Sequence, residues 1–153
     1  MQIEKEIDEK LSLLREKGVV ITTPRLLILE YLVQNKTHPT AEEIYQNLRK
    51  RFPSISLASI YNALKLFNSL GIVNELFLER EKARYDINTA PHAHFKCLKC
   101  GRIYDLLDIN LPQIKEFAGH KILTTQVYFY GFCKACSQAT SKSKKKEKED
   151  KKS

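Results

Sequence analysis

The sequence lacks any run of apolar residues near the ~18–20 needed to cross a bilayer. Its N-terminal segment, Met1-Gln2-Ile3-Glu4-Lys5-Glu6, is no secretory signal peptide. At 153 residues, the chain is also too short for a large multidomain enzyme. We therefore expect a soluble protein of one or two small domains, located in the cytoplasm and without a membrane partner.

The positive charge of the chain is unevenly distributed. The formal net charge is +8, and segment 138–153 carries +4 of it, with seven lysines and three acids. This segment has no apolar periodicity, so we predict a disordered Lys-rich tail over 138–153. Such a tail either strengthens non-specific contact with a polyanion or keeps the protein soluble. The whole chain is 42% hydrophobic and 9% aromatic, which excludes global disorder.

Cysteine is scarce, and its spacing is informative. The chain has four cysteines, in two C-x-x-C pairs: Cys97 with Cys100, and Cys133 with Cys136. Without a secretory signal we expect no disulfide framework, whereas four soft thiolates suit tetrahedral Zn(II). The 32 residues between the pairs exceed the ~15–20 of a usual zinc ribbon, so we expect the metal to join separate elements. A redox dithiol and unligated thiols are the alternatives.

The N-terminal half has helical periodicity with recognisable helix ends. Thr40 and Glu43 form a capping box, and Pro24 suits the first turn of a helix. The predicted helices run from Ile3 to Gly18, from Thr22 or Thr23 through Val33, from Thr40 to before Pro53, and from Ser56 to Gly71. Two strand-like runs, Ile72–Leu78 and Ala83–Ile87, follow. This order is typical of a winged helix.

In a winged helix, one helix enters the major groove of DNA while its neighbour supports it. The candidate reading helix is Ser56–Ser69. Its solvent face carries side chains that can contact phosphates, thymine methyl groups and base edges. These are Ser59, Tyr61, Asn62 and Lys65. The alternative is that this is an ordinary polar, solvated helix face.

The C-terminal half changes to strand-like alternation from Pro91. We predict strands at Arg102–Leu107 and Ile122–Tyr130, with a helix from Leu111 to about Gly119 between them. A unit of about 45 residues is marginal as a lone core. We therefore expect it to depend on zinc and on dimerisation.

A second group of potential metal ligands lies around this transition. His92 and His94 are two residues apart, so they share one face of a strand. With Asp86 and Asp105 nearby, they can hold a divalent cation through nitrogen and oxygen donors. The alternative is a pair of exposed loop histidines. Nothing local to His38 connects it to these residues.

The chain resembles the ferric uptake regulator (Fur) family of bacterial metal-dependent repressors, from about residue 8 to residue 137. Six ordered motifs carry the resemblance, with the family's spacing. They are His38-Pro39-Thr40-Ala41-Glu42-Glu43-Ile44-Tyr45, Ser59-Ile60-Tyr61-Asn62-Ala63-Leu64, Arg84-Tyr85-Asp86, His92-Ala93-His94-Phe95, Cys97-Leu98-Lys99-Cys100-Gly101 and Tyr130-Gly131-Phe132-Cys133-Lys134-Ala135-Cys136.

The resemblance implies an α+β fold with a winged-helix DNA-binding domain over 1–83 and a hinge over 84–91. A small α/β dimerisation and metal-binding domain over 92–137 and the tail over 138–153 would complete the chain. The implied partners are a second copy of the chain and a double-stranded DNA operator with two half-sites, with no organic substrate. The chain would therefore not be an enzyme.

The resemblance also implies a regulatory Fe(II) or Mn(II) site beside the structural zinc of the four cysteines. The family's ligand positions correspond to His38, Asp86, His92, His94 and Asp105. Three imidazoles and two carboxylates suit Fe(II) or Mn(II), whereas thiolates suit zinc. Ligands from both halves imply that metal binding favours a closed, DNA-binding dimer.

Two residues make the chain most like the peroxide-sensing (PerR) branch of the family. Asp105 stands where iron-uptake members usually carry Glu, and Asn62 stands where they tend to carry Arg. In peroxide sensors Fe(II) reacts with hydrogen peroxide and a ligand histidine is oxidised, at positions that correspond to His38 and His92. Arg25 matches a family arginine with a phosphate-contacting role.

Three alternatives compete with peroxide sensing. One is an iron- or manganese-responsive uptake repressor of the same architecture. Another is a non-haem Fe(II) enzyme that uses His92, His94 and Asp105. The third is a zinc-stapled adaptor whose affinity for nucleic acid is indifferent to Fe(II) and Mn(II).

Overall fold

The computed structural model describes residues 1–138; segment 139–153, which carries nearly all of the predicted tail, lies outside the described residues. The chain divides into two compact units, one from Met1 to Ala90 and one that begins at Pro91. Each unit is described separately below. Within residues 1–138, every helix is too short or too polar to span a membrane.

The first unit begins with the four predicted helices. Thr22 accepts the N–H of Arg25 to cap the second helix, and Ser56 accepts that of Ser59 to cap the fourth. Thr40 and Glu43 form both hydrogen bonds of the predicted capping box on the third. The helices are α1 (Gln2–Glu16), α2 (Thr23–Gln34), α3 (Ala41–Leu48) and α4 (Leu57–Ser69).

A short antiparallel ribbon completes the first unit. Strands β1 (Asn74–Leu76) and β2 (Arg84–Asp86) pair with Glu75 opposite Tyr85. Both strands are shorter than the predicted runs, and β2 lies in the segment predicted as a hinge over 84–91. Four helices followed by this ribbon confirm the predicted winged-helix order.

One hydrophobic core holds the first unit together. Apolar residues of the helices, such as Ile28, Ile44, Leu64 and Phe67, are fully buried. Ile72, Val73 and Ile87 extend the same core under the ribbon. The helices and the ribbon therefore share one apolar interior, which fixes the position of β2.

The second unit is built on a three-stranded sheet with the order β4-β3-β7. Strand β3 (Ala93–Cys97) pairs antiparallel with β4 (Ile103–Leu106) and parallel with β7 (Tyr128–Gly131). A two-strand hairpin, β5 (Glu116–Phe117) and β6 (His120–Lys121), lies between β4 and β7 along the chain. Residues 134–138 are helical.

The prediction of a helix from Leu111 to Gly119 was wrong. Ala118 and Gly119 both have positive φ, 50° and 81°, and form the two-residue turn of the β5–β6 hairpin. Residues 112–121 are all exposed. A helix this short is marginal in water unless its apolar face is packed, and in this segment Ile114 is 47% and Phe117 71% exposed. The predicted strand Ile122–Tyr130 is reduced to β7.

Candidate functional site

The second unit gathers all four cysteines into one cluster. Cys97 ends β3, and the parallel register places Cys97 beside Gly131, two residues before Cys133. Strand pairing therefore joins two cysteine pairs that lie far apart in the sequence. The four sulfur atoms lie within 4.8 Å of one another, and the Cys100 and Cys133 sulfurs are 3.9 Å apart.

This geometry fits zinc. Four sulfurs at ~2.3 Å from a tetrahedral ion stand about 3.8 Å from each other. The 3.9 Å separation between Cys100 Sγ and Cys133 Sγ is close to that value. The structure thus gives the four cysteines the arrangement that the C-x-x-C spacing predicted.

The surroundings of the cluster favour the thiolate form of Cys97 and Cys133. The N–H groups of Cys100 and Cys133 donate to Cys97 Sγ and lower the pKa of that thiol to about 6. The N–H of Cys136 and the hydroxyl of Tyr104 lower the pKa of Cys133. Hydrogen bonding to Cys133 raises the pKa of Cys136 to about 12. Deprotonated sulfur is the form that binds a metal ion.

The first unit brings together two of the predicted regulatory ligands. His38 lies in the loop before α3 and Asp86 ends β2; both are buried. His38 Nε2 is 3.6 Å from Asp86 Oδ2, while Asp86 Oδ1 accepts the N–H of Asn88. That hydrogen bond orients the carboxylate and leaves one oxygen directed at the imidazole.

The second unit brings together the other three. His94 lies opposite Asp105 in the β3–β4 pair, and His92 lies just before β3. Asp105 Oδ1 is 3.3 Å from His92 Nε2 and 3.4 Å from His94 Nε2. The two imidazole rings have centroids 4.4 Å apart. Both histidines are buried, which argues against the alternative of exposed loop histidines.

The donor types of these two groups differ from those of the cysteine cluster. Imidazole nitrogens and carboxylate oxygens suit Fe(II) and Mn(II) better than a four-sulfur set does. The first unit supplies two such donors and the second unit three. The sequence interpretation had grouped Asp86 with the residues of the second unit, and it connected His38 to them only through the family resemblance.

The candidate DNA-contacting residues have different environments. On α4 the side chains of Tyr61, Asn62 and Lys65 are exposed, whereas Ser59 is half-buried. The Ser59 hydroxyl hydrogen-bonds with that of Ser56 at 2.8 Å, so it is partly used in capping the helix. On α2, Arg25 donates from Nη1 to the Val20 carbonyl at 2.7 Å.

Tyr61 is linked to the neighbouring helix. Its hydroxyl donates to the carboxylate of Glu42 on α3. This hydrogen bond lowers the pKa of Glu42 and raises that of Tyr61. The exposed tyrosine ring is therefore held in place by α3, as expected of a supporting helix beside a reading helix.

Sequence reasoning missed a basic turn between α3 and α4. Arg49, Lys50 and Arg51 are consecutive and exposed. The guanidinium carbon of Arg49 lies 5.6 Å from the Tyr45 ring centroid, and that of Arg51 lies 5.7 Å from the Phe52 ring. Three adjacent basic residues between two capped helices were the available signal.

Two internal contacts of the first unit were also missed. Lys10 Nζ on α1 donates to the carbonyls of Ile72 and Ile87, at 3.1 and 3.2 Å. Arg84 on β2 donates to the carbonyl of His38. Neither contact has a local sequence signal, because each joins residues more than 40 positions apart.

Comparison with known proteins identifies the family. The sequence profile of the Ferric uptake regulator family matches residues 16–130. The chain is 44% identical over 138 residues to the Peroxide-responsive repressor PerR of Staphylococcus aureus (strain USA300). This alignment covers 88% of this chain and 93% of that protein. The chain is 41% identical over 140 residues to PerR of Staphylococcus epidermidis, covering 89% and 93%.

Solved structures of similar proteins support the same family. PerR from Streptococcus pyogenes is 36% identical with a TM-score of 0.51, covering 85% of this chain and 92% of that one. A structure named GAS PerR-Zn-Zn is 35% identical with a TM-score of 0.52, covering 86% and 87%. The Francisella tularensis ferric uptake regulator with iron is 29% identical with a TM-score of 0.63, covering 78% and 96%. The chain therefore belongs to the ferric uptake regulator family.

Proposed function

We propose that this chain is a metal-dependent, DNA-binding transcriptional repressor that senses hydrogen peroxide through Fe(II)-catalysed oxidation of a ligand histidine. The observation that carries the proposal is the convergence of His92, His94 and Asp105 apart from the four-cysteine cluster. The similarity to proteins named Peroxide-responsive repressor PerR supports the sensing role.

Two kinds of metal site serve two purposes in this proposal. Cys97, Cys100, Cys133 and Cys136 hold a structural zinc. His38 and Asp86 from the first unit join His92, His94 and Asp105 from the second to hold a regulatory Fe(II) or Mn(II). Relatives solved with zinc and with iron support this assignment.

Signalling follows from the division of the regulatory ligands between the units. All five ligands bind only when the units bring them together, so the binding free energy favours that arrangement. Loss of one imidazole donor reverses this preference. The protein therefore binds its operator when the site is loaded and intact, and releases it when a ligand is damaged.

Oxidation targets His38 and His92 in this proposal. The imidazole is oxidised by two electrons as hydrogen peroxide is reduced, a reaction that a bound Fe(II) would catalyse. One peroxide oxygen is gained by the imidazole, and the other leaves as water. An oxidised imidazole is a poorer ligand, so one event inactivates one protomer. The protein acts as a one-shot sensor without an organic substrate or turnover.

The DNA interface is proposed on the first unit. Tyr61, Asn62 and Lys65 of α4 face solvent and contact base edges and phosphates, with Ser59 at the start of the helix. Arg25 and the basic turn 49–51 add phosphate contacts. Such a protein works in the compartment that holds the DNA, which we propose to be the cytoplasm.

A homodimer presents two copies of this interface to two operator half-sites. Support comes from the apolar surface of the second unit, where Phe117 is 71% exposed, Leu123 85% and Leu107 63%. Large exposed apolar side chains in so small a unit support its association with a second copy, which would bury them. The family's winged-helix regulators are dimeric, in keeping with a two-fold operator.

The test combines peptide mass spectrometry with DNA binding. The dimer is loaded with Fe(II) or with Mn(II), treated briefly with hydrogen peroxide, and assayed on a duplex selected from random sequence by the Mn(II)-loaded protein. We expect one added oxygen on the His38 or His92 peptide and loss of DNA binding with Fe(II) only. Unmodified histidines with binding that simply follows free Fe(II) or Mn(II) would instead identify a metal-uptake repressor.

Asp105→Glu provides a matched variant for the same assay. It keeps a carboxylate, so metal-dependent DNA binding should persist. The longer side chain alters the carboxylate that both His92 and His94 approach, so histidine oxidation should fall. Oxidation equal to that of the natural chain would remove Asp105 from the argument for peroxide sensing.

A further inference from the structure

Arg84 is a mostly buried cation with three contacts in the first unit. Its side chain is 16% exposed. Its Nε lies 2.9 Å from Glu79 Oε1, and its Nη1 lies 3.9 Å from Glu43 Oε2. Nη1 also donates a 3.1 Å hydrogen bond to the backbone carbonyl of His38. The first two contacts satisfy the charge, and the third links it to a proposed metal ligand.

Each residue of β2 contacts the loop that carries His38. The Arg84 guanidinium donates to the His38 carbonyl, and the Tyr85 N–H donates to the Pro39 carbonyl at 3.0 Å. Asp86 Oδ2 then approaches the His38 imidazole to 3.6 Å. The strand therefore holds the backbone of the loop and the ring of the ligand together.

The backbone of His38 needs such support. Its φ is 55°, in the left-handed region that residues with a Cβ seldom adopt. Conformations of this kind persist where surrounding contacts enforce them, and they concentrate at functional sites. The direction of the His38 side chain depends on this φ, so a change in the loop backbone moves the imidazole away from Asp86.

We propose that Arg84 is a positioning residue for the regulatory metal site, which holds His38 in its left-handed conformation through the hydrogen bond to its carbonyl. This inference rests on the proposed function, in which His38 and Asp86 are ligands of one ion. Partners that orient ligands typically change metal affinity by about 10- to 100-fold when they are lost. Since His38 is a proposed oxidation target, its oxidation depends on Arg84 as well.

Three variants distinguish a role of Arg84 in positioning His38 from a role in balancing the charge of Glu79. Arg84→Met removes the donor and keeps the length of the side chain. Glu79→Gln removes the ion pair and leaves the hydrogen bond to His38, so it serves as the control. Arg84→Lys keeps a cation and restores a single donor. All three are compared with the natural chain as zinc-loaded, full-length protein.

Mn(II) affinity is measured by electron paramagnetic resonance of free Mn(II), and unfolding of the Mn(II)-free protein is measured in parallel. We expect Arg84→Met to weaken Mn(II) binding about 10- to 100-fold. Glu79→Gln should bind nearly as tightly as the natural chain, with Arg84→Lys between them. In the Mn(II)-free protein, the His38 imidazole resonances should shift in Arg84→Met and stay in place in Glu79→Gln.

Equal Mn(II) affinity in Arg84→Met and the natural chain would overturn the inference. If Arg84→Met does not fold, Arg84→Lys decides: natural Mn(II) affinity although the His38 resonances have shifted would overturn the inference. His38→Ala distinguishes the two levels of proposal. If it leaves Mn(II) affinity unchanged, the proposed ligand set fails; if it alone weakens binding, only the role of Arg84 fails.

Discussion

The two units of this chain bury very different amounts of apolar material. Among residues 1–138, the buried hydrophobic residues number twenty in the first unit, whereas the second contributes Ala93, Cys97 and Cys133. Two of those three are proposed zinc ligands. The comparison teaches that packing stabilises the first unit, whereas the described core of the second is so small that we expect it to depend on zinc and on association.

The largest expected effect comes from removing zinc, which should unfold the second unit and leave the first unit folded. Cys97→Ser should unfold the second unit and abolish the dimer, because structural zinc contributes about 10–16 kcal/mol of apparent folding free energy in small zinc domains. The first unit should keep its helices. Sedimentation and amide NMR spectra measure both effects, with Cys97→Ser compared to the natural chain. A dimeric, zinc-free protein with protected second-unit amides would contradict the prediction.

A core substitution should produce the opposite pattern. Phe67→Ala removes a fully buried ring from α4 and should cost about 3–5 kcal/mol of unfolding free energy. The zinc cluster should stay loaded, because its four ligands belong to the second unit. Denaturant unfolding followed by helical signal, alongside a zinc assay, tests this. Exposed Leu98, changed to Ala, is the control, and zinc loss in Phe67→Ala would refute the independence of the units.

A smaller effect is expected where a polar contact supports the first core. Lys10→Met removes two hydrogen bonds to the carbonyls of Ile72 and Ile87 and should cost about 1–3 kcal/mol. Lys5→Met, on the exposed side of the same helix, should cost far less. Chemical denaturation of the two variants measures the difference. Equal stability would show that the carbonyls are satisfied without Lys10.

The smallest predicted effect concerns the start of α3. Thr40→Ala removes one side of the capping box and should cost about 1 kcal/mol. Thr40→Ser retains the hydroxyl and should cost less. Thermal unfolding of both variants measures the loss of stability. Zinc retained in both variants would show that the loss is confined to the first unit. A larger loss in Thr40→Ser than in Thr40→Ala would rule out capping as the reason.

Local signals predicted the first unit well. Thr22, Thr40 and Ser56 accept the capping hydrogen bonds expected of them, and the inward-facing residues of the helices are buried. Caps and periodicity act within one or two turns, so a single segment contains the whole signal. In the second unit, the predicted helix at Leu111–Gly119 failed because this exposed segment lacks the packed apolar face that a short helix needs.

The candidate metal sites also differ in how much of each the sequence alone predicted. C-x-x-C spacing predicted a tetrahedral sulfur site, and the two-residue spacing of His92 and His94 predicted a shared strand face. The β3–β4 pairing then sets both histidines near Asp105. The pairing of His38 with Asp86 had no local signal, and it was expected only from the resemblance to the family. Contacts between segments distant in sequence depend on how the core sets β2 beside the loop before α3.

The sequence by itself determined the helix ends, the apolar faces of the first unit and the chemistry of two donor sets. These properties depend on neighbours a few residues apart. Only the tertiary structure decided that β3 and β7 run parallel and join the cysteine pairs. It also decided that Arg84 donates a hydrogen bond to the carbonyl of His38. Hydrogen bonds and thiolate contacts act over only a few ångströms. Residues far apart in sequence therefore form them only where tertiary packing has brought them together.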